Sequence, residues 1–225
     1  MVSATAEKLV ADIAALSFPN AFNPWSDLCP IHDLPDAVER RRANLADAID
    51  AVVAAPRSSL WVARDLGYRG GRRTGLALTD DASLERHAKL LCLPQLRRAT
   101  KGAPIKERTA AAIWDALELI GEPVFLWNVF PLHPHAPGAP MSNRAHSKAE
   151  AQACEPILKE ILSLMRPSRV VAIGRDAQIA LASQQIKALP VRHPSYGGER
   201  EFREGLASAY GLPALARPRQ PELDL

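Results

Sequence analysis

Apolar residues recur every three or four positions through the first part of the chain, which is the spacing of one face of a helix. The pattern predicts helices over residues 4–17 and 36–54, and the stretch between them contains four prolines and many turn residues. We therefore expect an N-terminal helical portion over residues 1–57.

From residue 59 the pattern changes to short apolar runs bounded by turn residues, as in buried strands. Because helical spacing returns between these runs, we expect βαβ units with right-handed crossovers. The fold class that this predicts is α/β, a three-layer αβα sandwich around a central four-stranded parallel sheet. The predicted strands are residues 59–63, 124–128, 169–173 and 189–193. The predicted helices between them are residues 105–120, 147–166 and 175–186.

Local signals refine this outline. Ser147 followed by Glu150 is typical of a capping box at a helix start, and Pro156 predicts a kink or a new start within the same helix. Prolines near the end of the chain predict a loose tail over residues 213–225. No internal repeat divides the chain, so we predict a single domain over residues 1–225.

The composition is that of a globular protein, with 225 residues of which 47% are hydrophobic and 24% charged. A chain of this length can bury a sizeable core. Neither a charged leader nor an apolar run long enough to cross a bilayer stands out, so we expect a cytoplasmic protein with no membrane partner. The three cysteines are widely spaced and form neither a disulfide framework nor a metal motif.

The net charge is only +3, but the basic residues cluster. Such clusters can bind phosphates locally, although a solvated surface is the simpler interpretation of any one of them. The clusters are Arg40, Arg41 and Arg42, then Arg69, Arg72 and Arg73, then Arg97 and Arg98.

Polar residues stand at or near the ends of three predicted strands. Asp65 follows the first strand, Asn128 ends the second and His193 ends the fourth. Because the carboxyl ends of parallel strands face one crevice, these side chains should meet there.

These residue types together suit cleavage of a glycosidic bond to a base. A carboxylate such as Asp65 can stabilise positive charge on the sugar and orient water. A donor such as His193, preferably neutral, stabilises negative charge on the leaving base. Asn128 offers a donor and an acceptor in one side chain. Taken singly, the three also have ordinary interpretations, as a surface ion pair, a turn residue and a loop cap.

Residues 63–79 resemble two motifs of the uracil-DNA glycosylase superfamily. Ala-Arg-Asp-Leu-Gly-Tyr at residues 63–68 is similar to the water-activating motif Gly-Gln-Asp-Pro-Tyr, and Gly-Leu-Ala-Leu-Thr at 75–79 is similar to the base-stacking segment Gly-Leu-Cys-Phe-Ser. Without a gap, Asp65 falls on the catalytic aspartate. Leu78 falls on the stacking phenylalanine, so an aliphatic side chain replaces an aromatic face.

Later segments of the chain match in the same order, and the likeness covers about residues 60–200. Asn128 resembles the base-reading asparagine, Gly174 and Ala177 fit a Gly-x-x-Ala turn, and His-Pro-Ser at residues 193–195 matches the loop that closes the active site. A second branch of the superfamily, which carries an iron–sulfur cluster, has a run similar to Asn143, Arg144, Ser147, Glu150, Cys154 and Pro156. That branch uses four cysteines, so we expect no cluster, no metal and no other cofactor here.

The resemblance implies a hydrolase that flips uracil out of DNA and cleaves its N-glycosidic bond, leaving an abasic site for base excision repair. It implies that the partner is uracil-containing DNA, that the product is free uracil, and that the protein is a monomer. The implied catalytic residues are Asp65 and His193. The implied uracil contacts are Arg64, Asp65, Tyr68, Leu78, Asn128 and His193. The implied DNA contacts are Arg69, Arg72, Arg73, Ser195, Tyr196 and Arg200.

The chain departs from the family pattern at the base pocket and at the wedge that fills the vacated base stack. Gly67 stands where the tyrosine that excludes thymine would be, and Tyr68 comes one residue late. Gly197 stands in place of the wedge leucine, for which Tyr196 or Arg200 could substitute.

Other functions stay open. A rebuilt pocket wall could admit another deaminated base, hypoxanthine or xanthine. A relative without catalysis could bind abasic sites, although the loop at residues 69–73 has no histidine for a covalent form. A nucleotide-hydrolysing enzyme is disfavoured because Gly-x-x-x-x-Gly-Lys-Ser/Thr and Gly-x-Gly-x-x-Gly are missing. His133 and His135 have metal-ligand spacing, but their flanking prolines favour a loop.

Overall fold

The structure, a computed structural model, describes residues 2–213, without the side chain of residue 108. Of the tail predicted over residues 213–225, all but Pro213 lies outside the described residues. No helix within the described part is both long and apolar enough to cross a membrane.

The described chain contains the predicted helices and strands and, in addition, two short helices between residues 71 and 90 and a pair of two-residue antiparallel strands. The helices are α1 (Ala4–Ala14), α2 (Ala37–Ala54), α3 (Gly71–Thr74), α4 (Leu84–Leu90), α5 (Arg108–Ile120), α6 (Lys148–Ala153), α7 (Glu155–Met165), α8 (Arg175–Ser183) and α9 (Glu199–Tyr210). The strands are β1 (Ala21–Phe22), β2 (Ser59–Asp65), β3 (Val124–Phe130), β4 (His133–Pro134), β5 (Arg169–Ile173) and β6 (Leu189–Val191).

Four of the strands form a parallel sheet in the order β3-β2-β5-β6. The chain passes from β2 to β3 through α5 in one direction, and then to β5 and β6 through α7 and α8 in the other. Because such crossovers are right-handed, α5 lies on one face of the sheet and α7 and α8 lie on the opposite face. Helix α9 packs on α5 and β6, while α1 and α2 pack on α7. The predicted three-layer αβα sandwich is thus confirmed.

Large aromatic side chains cover the two faces of the sheet. On one face, Trp61 of β2 packs against Phe202 and Tyr210 of α9. On the other, Trp127 of β3 stacks on Trp25. Side chains alternate along a strand, and β2 residues pair directly with β3 residues. Leu126 of β3 pairs with Trp61 and so faces the same side of the sheet. Asn128, two residues further along β3, therefore also lies on the face that α9 covers.

The strand ends differ from the predicted ones. Pairing between β2 and β3 continues as far as Asp65 and Phe130, while β6 already ends at Val191. Asp65 is therefore the last residue of a strand, Asn128 lies inside a strand, and His193 lies in a loop. The prediction that Asn128 and His193 end their strands is wrong. A strand ends where its hydrogen bonds to the neighbouring strand stop, and this need not coincide with the end of an apolar run.

The helix predicted over residues 147–166 is two helices, α6 and α7. Ser147 and Glu150 form the predicted capping box at the start of α6, which ends at Cys154. Pro156 lies in the first turn of α7, where no intrahelical N–H bond is lost. The predicted restart at this proline is confirmed.

Candidate active site

Asp65 ends β2, and one oxygen of its carboxylate receives every contact that the described residues make with it. Oδ2 accepts hydrogen bonds from Arg64 Nε at 2.9 Å and from the His146 backbone N–H at 3.3 Å. The ring Nδ1 of His146 lies 3.4 Å from the same oxygen. The side chain is only 8% exposed. Oδ1, which has no partner among the described residues, is therefore the oxygen available to a ligand.

The ring of His193 is held by a residue of its own loop, Ser195. Nδ1 accepts a hydrogen bond from the Ser195 backbone N–H at 3.2 Å and lies 2.8 Å from the Ser195 hydroxyl. Because Nδ1 is an acceptor, the ring proton is on Nε2, which has no described partner and can donate to a ligand. Burial, with the positive charges of Arg64 and Arg192, lowers the pKa of His193 below its ordinary value of 6.5. The imidazole is therefore neutral at pH 7.

Asn128 is the buried polar residue of the sheet at this edge. Its side chain is 1% exposed, and neither its Oδ1 nor its Nδ2 has a hydrogen-bond partner among the described residues. Burying an unpaired donor or acceptor costs about 1–3 kcal/mol. An amide in this state can complete its bonding with a ligand or with an ordered water.

The sheet brings these three side chains to one edge. Asn128 pairs with Ala63, two residues before Asp65. The charges of Arg64 and Asp65 both act on the His193 ring, with opposite signs. The strand order reverses between β2, which leads to β3, and β5, which leads to β6, and such a switch point opens a crevice at the carboxyl ends of the strands. The structure therefore places Asn128 beside β2 near its end and Asp65 within electrostatic reach of His193. None of the three lines the large cleft described next, and that they all face one crevice stays a prediction.

A cleft of about 800 Å³ opens next to them, between the loop after β2, the His193 loop, α5 and α9. Five of the predicted uracil or DNA contacts line it: Tyr68, Arg69, Ser195, Tyr196 and Arg200. Tyr196 is 98% exposed and its φ of 51° is left-handed, a conformation that a bulky residue rarely adopts. The aromatic ring is thus held out into solvent at the tip of the loop.

Tyr68 and Arg69 form a fixed pair at the edge of this cleft. Arg69 Nε donates to the Tyr68 hydroxyl at 2.8 Å, and its guanidinium lies 5.4 Å from the Tyr68 ring centroid. The Tyr68 backbone N–H donates to Asn143 Oδ1 at 3.1 Å. Asn143 also lines the cleft.

Arg72 and Arg73 differ from the exposed Arg69 in being buried, although Arg73 lines a cavity together with Tyr68 and Arg69. They are 4% and 5% exposed. The Arg72 guanidinium lies 3.8 Å from the Phe22 ring centroid, and Arg73 Nε donates to the buried carboxylate of Asp81 at 2.9 Å. This burial disfavours the prediction that these arginines hold phosphates: the ring of the distant Phe22 covers Arg72, and Arg73 pairs with a carboxylate only eight positions along the chain.

Two predicted uracil contacts lie at the margins of the site. The Arg64 guanidinium bridges Asp65 and Asp176, the second at 3.3 Å, and lines a separate cavity of about 610 Å³ on the α8 side. Leu78 is half-buried against the core with a left-handed φ of 54°. Such strain in a non-glycine residue is common near functional sites, but no lining contact puts Leu78 in the cleft, and its place against the base stays a prediction.

Two residues at the site escaped the sequence analysis, His146 and Glu107. His146, which touches Asp65, has no motif or spacing that could have found it. Glu107 lines the main cleft, and its carboxylate fills the space beside Gly67 and Gly70, where a Cβ at residue 70 would collide with it. Burial, reinforced by Asp80, raises the pKa of Glu107.

His133 and His135 have ordinary partners rather than a metal-like arrangement. His133 Nε2 lies 2.9 Å from the Ser142 carbonyl oxygen, to which it donates, and burial lowers its pKa to about 4. His135 Nδ1 lies 3.0 Å from the Ala136 carbonyl oxygen. The sequence predicts a loop here, but His133 lies in the two-residue strand β4, which pairs with β1, and His135 follows that strand.

The fold and the crevice at the carboxyl edge of the sheet define an α/β enzyme domain of the glycosylase type. A family model described as the Uracil DNA glycosylase superfamily matches residues 69–207, and the chain belongs to this superfamily, whose members are DNA glycosylases. No curated protein matches the chain.

Among solved structures, the crystal structure of wild-type SMUG2 from Pedobacter heparinus is similar. The TM-score is 0.61 at 16% identity, over 92% of this chain and 97% of that chain. At this identity the likeness shows the fold.

Proposed function

We propose that this protein extrudes uracil from DNA and hydrolyses the bond between the base and deoxyribose. The observation that carries the proposal is the unpaired amide of Asn128, buried at the same edge of the sheet as the free oxygen of Asp65 and the free Nε2–H of His193. The superfamily supplies the reaction type, and these three groups supply the base recognition and the charge stabilisation.

The reaction divides between the three groups. As the glycosidic bond breaks, its electron pair leaves with the base and positive charge develops on the sugar. Asp65 Oδ1 stabilises that charge and accepts a proton from the attacking water, whose oxygen bonds to the sugar carbon. His193 Nε2–H donates to the oxygen of the base on which negative charge builds. A neutral imidazole suits this role because it stabilises charge without simply losing its proton.

Asn128 supports the choice of uracil over cytosine. Its NH₂ group can donate to uracil O4 while its carbonyl accepts from uracil N3–H. In this orientation of the amide, cytosine presents the opposite pattern at both positions and would leave four buried groups unpaired. Because no described residue bonds to the amide, the choice of uracil requires that the bound DNA hold it in this orientation. Uracil therefore satisfies the bonding that the folded protein leaves unmet.

Replacing Asn128 with leucine, which has nearly the same shape, should lower uracil excision and leave the fold intact. We expect single-turnover excision to fall by about 10²-fold, since two hydrogen bonds to the base are lost. The melting temperature should hold or rise, because the variant no longer buries an unpaired amide. Asn128→Asp should also lose uracil excision, because it lacks the donor to O4. Wild-type rates in both variants would exclude this role for Asn128.

We assign the phosphate contacts to three residues that line the cleft, the exposed Arg69 and Arg200 and the half-buried Ser195, and the role of the wedge to Tyr196. Extruding a base costs a few kcal/mol of stacking and pairing, and least in a single strand. An aromatic ring can fill the vacated stack and recover about 1–3 kcal/mol. The exposed ring of Tyr196, next to the catalytic His193 loop, is placed for this.

Tyr196→Ala should therefore slow excision from duplex DNA by about tenfold or more and change excision from single-stranded DNA much less. Tyr196→Trp should keep the duplex activity, because it retains an aromatic face. Parallel single-turnover assays on the two substrates check this. Equal losses on duplex and single strand would show that Tyr196 has another role.

A deaminated purine is the second candidate substrate. Gly67 carries no side chain, and the Glu107 carboxylate occupies the space beside it. The part of the pocket wall that would exclude larger bases is therefore the flexible side chain of Glu107. Labelled single-stranded and duplex oligonucleotides carrying uracil, hypoxanthine, xanthine or mismatched thymine test both candidates. The proposed function requires uracil to be released fastest, and failure to release any base would overturn it.

A further inference from the structure

The contacts around Asp65 are asymmetric. Three nitrogen atoms of the described residues lie near its carboxylate, Arg64 Nε and the backbone and ring nitrogens of His146, and all of them face Oδ2. Oδ1 has no partner among residues 2–213. A carboxylate anchored through one oxygen points the other in a defined direction, so the groups that hold Oδ2 determine where Oδ1 is aimed.

His146 is itself held firmly. Its ring packs on Phe130 at the end of β3, with centroids 5.8 Å apart. The next residue, Ser147, caps α6, and Arg144 makes two hydrogen bonds to Glu150 at 2.8 and 2.6 Å. The bonded Arg144 guanidinium lowers the pKa of Glu150 to about 2, so this ion pair persists at working pH. The loop that carries His146 is therefore braced on both sides.

The ring nitrogen Nδ1 of His146 is buried and has no hydrogen-bond partner among the described residues. The nearby acceptor is Asp65 Oδ2, 3.4 Å away. Catalytic hydrogen bonds are often long in free enzymes and shorten when substrate binds. A movement of a few tenths of an ångström would pair the orphaned nitrogen with the catalytic carboxylate.

We propose that His146 is a positioning residue for Asp65, and this rests on the proposed function. Its Nδ1–H, with its backbone N–H and Arg64, holds Oδ2 so that Oδ1 faces the sugar and the attacking water. His146 does not touch the substrate. During hydrolysis the proton of water passes to Oδ1, the oxygen of water bonds to the sugar carbon, and the base leaves with the electron pair and takes a proton from solvent.

The test compares two replacements that differ in one donor. The variants are His146→Asn, whose amide NH₂ can replace Nδ1–H, and His146→Phe, which keeps the packing on Phe130 without a donor. We expect His146→Phe to slow single-turnover excision by about tenfold to a hundredfold, the effect of one hydrogen bond to a charged group. DNA affinity should stay at the wild-type value. His146→Asn should recover most of the rate, and the control His135→Phe, which does not face Asp65, should keep all of it.

A structural readout independent of turnover is the nitrogen NMR spectrum of the His146 ring, in which Nδ1 should carry the proton in the wild type. Equal rates in His146→Asn and His146→Phe, whether both low or both normal, would overturn the proposal, and so would a ring protonated only on Nε2. If the wild type releases no base from the oligonucleotide panel, the proposed function fails. If the wild type is active and His146→Phe is equally fast, only this inference fails.

Discussion

Asp65→Asn is expected to slow base excision by about 10²–10⁴-fold, the range typical of a positioned acid–base group. The side chain keeps its size and can still bond to Arg64, so the fold should not change. DNA affinity should stay close to that of the wild type, because the lost charge acts mainly on the transition state, where the sugar becomes positive. Single-turnover excision and equilibrium binding to the same labelled oligonucleotide separate the two effects.

Asp176→Asn is the matched control for Asp65→Asn. Asp176 also bonds to Arg64, at 3.3 Å, but its side chain is 55% exposed and lies on α8. Its replacement changes the same arginine contact without touching the catalytic carboxylate, so we expect nearly full activity. Comparable losses in the two variants would mean that Arg64, rather than the Asp65 carboxylate, is the group that matters.

His193→Ala is expected to lower the excision rate by about 10²–10³-fold, the effect of one donor removed from a site of developing negative charge. The variant leaves Asp65 and Asn128 in place, so binding of uracil-containing DNA should change little. Ser195→Ala, which removes the hydroxyl but keeps the backbone N–H that bonds to Nδ1, should lose much less. A His193→Ala enzyme with the wild-type rate at saturating DNA would remove His193 from the mechanism.

The pH dependence gives the His193 assignment a second measurement. Because burial and nearby arginines lower the pKa of His193, the ring stays neutral through pH 7. The wild-type rate should hold as the pH falls to about 6.5 and decline only below it, when protonation of Nδ1 breaks the bond from the Ser195 N–H. Such a decline should be smaller in His193→Ala. A wild-type rate that already falls between about pH 8 and pH 7 would contradict a neutral role.

Secondary structure was largely predictable, because its signals are local. Helical spacing, the Ser147–Glu150 capping box and the restart at Pro156 each depend on residues within a few positions of one another. The order of strands and helices was enough to predict a parallel sheet, since right-handed crossovers leave few alternatives. Strand ends were predicted less well, as at Asn128, because the neighbouring strand decides where a ladder stops.

The sequence by itself determined the fold class, the order of the motifs and the candidate residues, Asp65 and His193 for catalysis and Asn128 for contact with uracil, because the motifs that carry them follow one another in the order of the family. Only the tertiary structure decided which side chains are free to act. Arg72 and Arg73 look like Arg69 in the sequence, yet the ring of the distant Phe22 covers Arg72, and Arg73 pairs in the interior with Asp81, eight positions away. His146 lies 81 positions from Asp65 and reaches it only after β2, β3 and the loop before α6 have packed. Burial and partnership are properties of packing between distant segments, and no local pattern encodes them.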